Sequence, residues 1–165
     1  MRETVRFFIP GVPVQQGSKT AFVVGKRAVV TDQNKARLKP WRAIVAAHAR
    51  HHKFLTFDEP VAVSLTFVMP RPARPRFNVP AVKPDIDKLV RAMLDGLTDG
   101  GLISDDARVV RLTAEERYAT PDSPVGVHVG VTHMTRPTVF DYLLRIHPNA
   151  TVIDDRTDPE AERDA

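Results

Sequence analysis

The stretch Val61–Met69, VAVSLTFVM, is apolar at nearly every position, broken only by Ser64 and Thr66. Nine residues fall far short of the roughly 20 that a membrane-crossing helix needs. The run reads instead as a β-strand, and its near-continuous apolarity, without in–out alternation, places it at the centre of a sheet. A central strand needs neighbours, and the rest of the chain offers them. Thr4–Ile9 (TVRFFI) is rich in β-branched and aromatic residues and reads as a first strand. Ala21–Val24 and Ala28–Thr31 flank Gly25-Lys26-Arg27 and read as a hairpin with a basic turn. Arg108–Tyr118 and Val125–His133 read as two further strands, separated by a turn at Pro121 and Pro124.

Two helices complete the pattern. One ends near His52 and carries Trp41, Ile44, Val45 and His48 at helical spacing. Its start has two readings: Asp32 as cap with Pro40 in the interior, or Pro40 near the first turn. The other, Asp85–Thr98, aligns Ile86, Leu89, Val90, Met93, Leu94 and Leu97 in one apolar stripe and stops at Gly100-Gly101. The order β-ββ-α-β-α-β-β predicts a single mixed α/β (α+β) domain with a small mixed sheet and two main helices, over residues 1–134. Residues 135–165 read as an extension, with a short helix at Val139–Ile146 and a disordered acidic tail.

The net charge of +4 averages unlike parts. The last twelve residues, Asp154–Ala165, hold six acids and two bases, which leaves the body at +8. Arg71, Arg74, Arg76 and Lys83 lie in a loop with five prolines, Pro70, Pro72, Pro75, Pro80 and Pro84. Basic surface of this kind attracts polyanions through counterion release. Inside the basic body sits an acidic island, with Asp85-Ile86-Asp87 at the mouth of the second helix and Asp105-Asp106 beyond its end. Carboxylates without cysteine suit a hard cation such as Mg²⁺. A bland reading stands beside this one. Asp85 as an N-cap, Asp87 paired with Arg91, and Asp105-Asp106 as a polar turn need no metal. Bringing Asp106 to the head of the helix would require strand pairing that spacing cannot reveal.

The absence of cysteine excludes disulfides, thiolate metal sites and cysteine nucleophiles. The start, MRETVRFF, lacks the apolar core of a signal peptide. His48 and His52 stand four apart, but no H-E-x-x-H is present, and His128 and His133 fall on opposite sides of a strand, so zinc is disfavoured. Trp41 in an apolar stripe reads as core rather than as a base-stacking residue.

The segment from Lys83 to Val110, KPDIDKLVRAMLDGLTDGGLISDDARVV, resembles the core motif of the RusA family of Holliday-junction resolvases. The matching pieces are Asp85-Ile86-Asp87, Leu89, Asp95-Gly96-Leu97, Gly101, Asp105-Asp106 and Val109. The resemblance implies a Mg²⁺-dependent (or Mn²⁺-dependent) endodeoxyribonuclease, a homodimer that resolves four-way DNA junctions by paired nicks in recombination and repair. The implied setting is the cytoplasm of a bacterium or phage-infected cell, with no membrane partner. By this resemblance Asp85, Asp87 and Asp106 bind the metal, Asp105 supports them, and Arg91 stands where the family has lysine, a planar fork in place of a point charge. Lys88 stands where the family has asparagine. Lys19, Lys26, Arg27, Arg42, Arg71, Arg74, Arg76, Lys83 and Lys88 are the expected DNA contacts. Two alternatives remain beside this reading: a non-catalytic DNA-binding module, and a metal-dependent nuclease of broader choice acting on flaps or forks. A D-x-D sugar-nucleotide transferase fits poorly, because no nucleotide-binding pattern precedes the acids.

Overall fold

The computed structural model describes residues 3–17, 19–24, 27–32 and 35–134. The chain divides into two units, Met1–Met134 and Thr135–Ala165, and every described residue belongs to the first. The expected helix at Val139–Ile146 and the acidic tail lie outside the described residues.

The elements are β1 (Thr4–Pro10), β2 (Lys19–Val24), β3 (Arg27–Asp32), α1 (Lys35–Arg50), β4 (Val61–Met69), α2 (Ile86–Asp99), β5 (Val109–Tyr118) and β6 (Gly126–His133). This is the expected order, and the fold is mixed α/β. Short 3₁₀ turns at Lys53–Leu55 and Asp106–Arg108 precede β4 and β5. The main sheet runs β1-β6-β4-β5, while β2 and β3 form a separate hairpin. β4 is central, as its apolarity predicts: it pairs antiparallel with β6 and parallel with β5. A parallel pair cannot be joined by a hairpin, and α2 supplies the crossover.

One face of the sheet packs on the helices. Val61, Val63, Leu65 and Phe67 of β4 join Val127, Val129 and Val131 of β6 and Val5 and Ile9 of β1 in a single core with both helices. The opposite face is more open than a continuous apolar strand suggests. Ser64 is exposed and Thr66 half-buried there, and they line a shallow groove with Arg6, Phe8, His128 and Gly130.

The two helices meet closely through small residues. Side chains buried from α1 are Leu38, Trp41, Val45, Ala46 and Ala49, whereas Ile44 is exposed. On α2 the buried set is Leu89, Val90, Ala92, Met93, Gly96 and Leu97. The stripe is thus turned from the expected one: Ile86 is exposed and Leu94 half-buried, while Ala92 and Gly96 face inward. The reason is that α1 lies against glycine. A Cβ placed on Gly96 would stand 2.6 Å from Val45 Cγ1, and one on Gly100 2.5 Å from Ala49 Cβ. Arg42 locks the pair from outside, bonding Asp99 at 2.6 Å and Asp95 at 3.2 Å.

α1 takes the interior-proline alternative. It begins at Lys35, so Pro40 is inside it. Pro40 and Ala36 are both exposed, and the proline ring leaves the Ala36 carbonyl without its helical donor. α2 ends at the double glycine by a Schellman motif. Leu102 N–H donates to Leu97 O at 3.1 Å, Gly101 N–H donates to Thr98 O at 2.9 Å, and Gly101 takes φ +74°.

Gly96→Ala is expected to lower stability by about 1–3 kcal/mol, because Val45 and the α1 backbone must shift to admit the methyl group. Thermal or urea unfolding measures this, and an unchanged midpoint would refute the close approach.

Candidate active site

Asp85 is the N-cap residue of α2, with extended backbone angles, but its side chain makes no capping bond. The structural reading of this carboxylate as a helix cap is therefore not realised. Its Oδ2 instead accepts a 2.6 Å bond from Lys88 Nζ. That ammonium hydrogen bond, reinforced by the charge of Lys88, holds the Asp85 carboxyl below its ordinary range and outweighs the opposing effect of desolvation. The same bond raises Lys88. The backbone of Asp85 is held from far along the chain: its N–H donates to Gln15 Oε1 at 2.8 Å, and Gln16 N–H donates to Lys88 O at 3.0 Å. The loop after β1 is thereby stitched to the head of α2. Asp87, just inside the helix mouth, is exposed and adds its charge to the surroundings of Lys88.

A carboxylate that sequence reasoning passed over stands here. Glu116 of β5 lies opposite Phe67 of β4, on the helix-covered side of the sheet. Its Oε2 is buried without a hydrogen-bond partner among the described residues. Burial, with the negative charge of Asp85 as a second cause, pushes its carboxyl up to about 7. The signal was present in strand parity: Glu116 alternates with Ala114 and Tyr118 and so faces inward.

Asp106 is elsewhere. β4 and β5 run parallel, so α2 carries the chain from the Met69 end of the sheet back to the Val61 end before β5 begins. Asp85 sits at the first end and Asp106 at the second, with the fourteen residues of α2 between them. At 1.5 Å per residue that helix alone separates the two acids by about 20 Å. The three carboxylates expected to bind one metal are therefore not brought together within one chain. Asp105 lies beside Asp106. Its Oδ1 accepts from Ala107 N–H at 2.7 Å, capping the 3₁₀ turn that begins at Asp106. That turn is held by Asp58, which bonds Ser104 and Arg108 and is lowered first by the Ser104 hydroxyl and then by Arg108.

The expected DNA contacts divide. Arg42 bonds Asp95 and Asp99 in the α1–α2 clamp. Lys88 is bonded to Asp85. Arg71 lies over the Tyr118 ring, 5.4 Å from its centre, and Arg76 over Phe77 at 5.0 Å. Both remain exposed, as do Arg74, Lys83 and Arg91. Arg91 forms no ion pair with Asp87 or any other acid among the described residues. Lys26 falls outside the described residues; Lys19 and Arg27 lie in the described hairpin strands.

The family model for endodeoxyribonuclease RusA matches residues 10–132, about three quarters of the chain. The chain belongs to the RusA family. No curated protein matches it. The RusA match spans both acidic ends and the basic loop between β4 and α2. Asp85 and Asp87 offer the hard oxygen donors that a Mg²⁺ ion prefers. Yet among the described residues no group of three His, Cys, Asp or Glu converges to hold a cation. The donor chemistry fits, but the number of donors brought together among the described residues does not.

Glu116 binds its proton more tightly folded than unfolded, so its contribution to stability is full below its ordinary value of 4.5 and is lost as pH rises through about 7. Glu116→Gln is accordingly expected to gain about 1–2 kcal/mol over the parent at pH 8, in chelator, and nothing at pH 4. Urea unfolding at the two pH values measures the difference.

Proposed function

We propose that this protein is a Mg²⁺-dependent endodeoxyribonuclease that resolves four-way DNA junctions by paired symmetrical nicks, as a homodimer, in the cytoplasm. The observation that carries the reading is the RusA family match over residues 10–132. Placement supports it. The exposed cations Arg71, Arg74, Arg76 and Lys83 directly precede Asp85 and Asp87, and Arg91 lies one turn further along α2. Phosphates drawn to that loop are thereby delivered beside the acids.

The roles of the residues follow from their chemistry. The loop arginines neutralise and orient the backbone without reading bases. Arg91 offers a planar fork that can grip two phosphate oxygens at once. Lys88 holds Asp85 ionised in the free protein. A four-way junction has approximate two-fold strand symmetry, so a two-fold dimer presents equivalent sites to opposite strands. Among the described residues no helix is long and apolar enough to cross a membrane.

A second reading has support of its own. The bond from Lys88 to Asp85 and the capping role of Asp105 also suit a DNA-binding module whose acids are structural. Activity separates the two. A synthetic junction with Mg²⁺ is expected to be nicked faster than a fork or linear duplex. Asp87→Asn is expected to slow nicking by about 10²-fold or more while binding persists. No nicks with Mg²⁺ or Mn²⁺ would overturn the nuclease reading, and preferred cutting of forks would broaden it. Replacing Arg71, Arg74 and Arg76 by alanine is expected to flatten the dependence of log affinity on log salt, by about one for each phosphate no longer neutralised. Titrations of a labelled junction at several salt concentrations measure that slope.

A further inference from the structure

A cleft of about 240 Å³ lies beside the head of α2. Its floor is apolar: Val12 and Val14 from the loop after β1, Met69 at the end of β4, and Pro84. Val14 and Met69 are backed by the core, whereas Val12 is 48% exposed and forms an open lip. Two cations line the same space from separate elements, Arg37 of α1 and Lys83 of the loop before α2. Both are exposed, and neither forms an ion pair among the described residues. Arg37 stands in the first turn of α1, which holds no acid, so the positive end of that helix dipole adds to the two side chains. The wall is continuous with the acidic end of the sheet. Pro84 directly precedes Asp85, and Gln15, also in the wall, accepts the Asp85 N–H at 2.8 Å.

We propose that this cleft receives one nucleotide of the DNA strand, turned out of its stack beside the phosphodiester that is cut, with its base on the Val12–Val14–Met69 floor and its phosphates held by Arg37 and Lys83. Size suits that occupant. Clefts for drug-sized ligands run to about 300–1,000 Å³, and this one is smaller, scaled to a single unit of a longer strand. Charge and polarity suit it as well. A neutral apolar ligand would leave both cations unused, and a simple anion would leave the floor uncovered; a nucleotide satisfies the two together. Turning a nucleotide out costs least where its pairing is already broken. The branch of a four-way junction is such a place, whereas the interior of a linear duplex is not. The cleft thus supplies a selectivity for branched DNA that phosphate contacts from the loop arginines do not carry. Arg37 becomes a specificity-determining residue, placed at the site by α1 although it lies almost fifty residues before Asp85. This inference rests on the nuclease reading for the neighbouring cut, but the binding of the nucleotide does not.

Two experiments test it. The chain contains no cysteine, so Val12→Cys places a single thiol at the lip of the cleft. In chelator, this variant is mixed with DNA that carries one base tethered to a mixed disulfide, which exchanges with a nearby thiol. A duplex with that nucleotide in a one-base bulge is expected to be trapped about tenfold faster than the fully paired duplex. In a four-way junction, trapping is expected at one or two adjacent positions at the branch. Arg50→Cys is the control, exposed at the other end of α1 and about 20 Å away along the helix. Equal trapping of bulged and paired nucleotides, or the same pattern from Arg50→Cys, would overturn the proposal. The second experiment follows junction nicking with Mg²⁺. Removing the base of the trapped nucleotide is expected to raise KM of the parent about tenfold. The same abasic junction should leave KM of Val12→Trp, whose ring fills the cleft, unchanged. Arg37→Ala is expected to raise KM about tenfold, and Arg50→Ala by less than about twofold. A parent indifferent to the abasic site, equal effects of the two arginines, or a trapped nucleotide more than two positions from the cut sinks the idea. If the parent does not nick DNA, the nuclease reading fails, and trapping alone then decides whether the cleft holds a nucleotide.

Discussion

The parallel pairing of β4 with β5 governs the rest of the structure. Parallel strands must be connected by a crossover, and a crossover returns the chain to the end from which the first strand set out. That requirement sends α2 down the sheet, lays it against α1, and assigns the two acidic pairs to opposite ends. The glycines at 96 and 100 let the crossover helix sit close to α1, and the bond from Arg42 to Asp99 fixes the pair at its rim. A change in the register of β4 against β5 would move one acidic end relative to the other.

Much of this was legible in the residues. The strand and helix order followed from local periodicity, and β4 kept its predicted limits of Val61–Met69 because its apolar run is continuous and its ends are marked by prolines. The stop of α2 was legible for the same reason, since a double glycine after a regular stripe has few other uses. The destination of Asp106 was not legible. It depends on whether β5 pairs parallel or antiparallel with β4, and residue patterns on one strand do not state the direction of its neighbour. Glu116 follows another glutamate directly, yet Glu115 accepts from Thr66 on the open face while Glu116 turns inward. The Arg42 clamp was not legible either, because its acidic partners lie more than fifty residues away.

The acid-bearing end is held together by distant pieces of chain, and this gives it a particular mechanical character. Gln15 and Gln16 belong to the loop that leads into the β2–β3 hairpin, and both bond backbone groups at the head of α2. A segment seventy residues removed thus sets the position of Asp85. Lys88 then sets the position of its carboxylate. The head of α2 is thus held at its backbone by two bonds from a distant loop, and the carboxylate by one bond from its own helix.

The strand order also dictates a sequence of events in time. β4, α2 and β5 are consecutive in the chain and find one another locally, so the segment carrying the acids is able to assemble early. β1, by contrast, pairs only with β6 among the described residues, and β6 ends at His133. During synthesis β1 leaves the ribosome before β6 and has no strand partner in the main sheet until β6 follows. The N-terminal strand therefore acts as the closing stave, and completion of the fold is reported by the one pairing that spans nearly the whole domain.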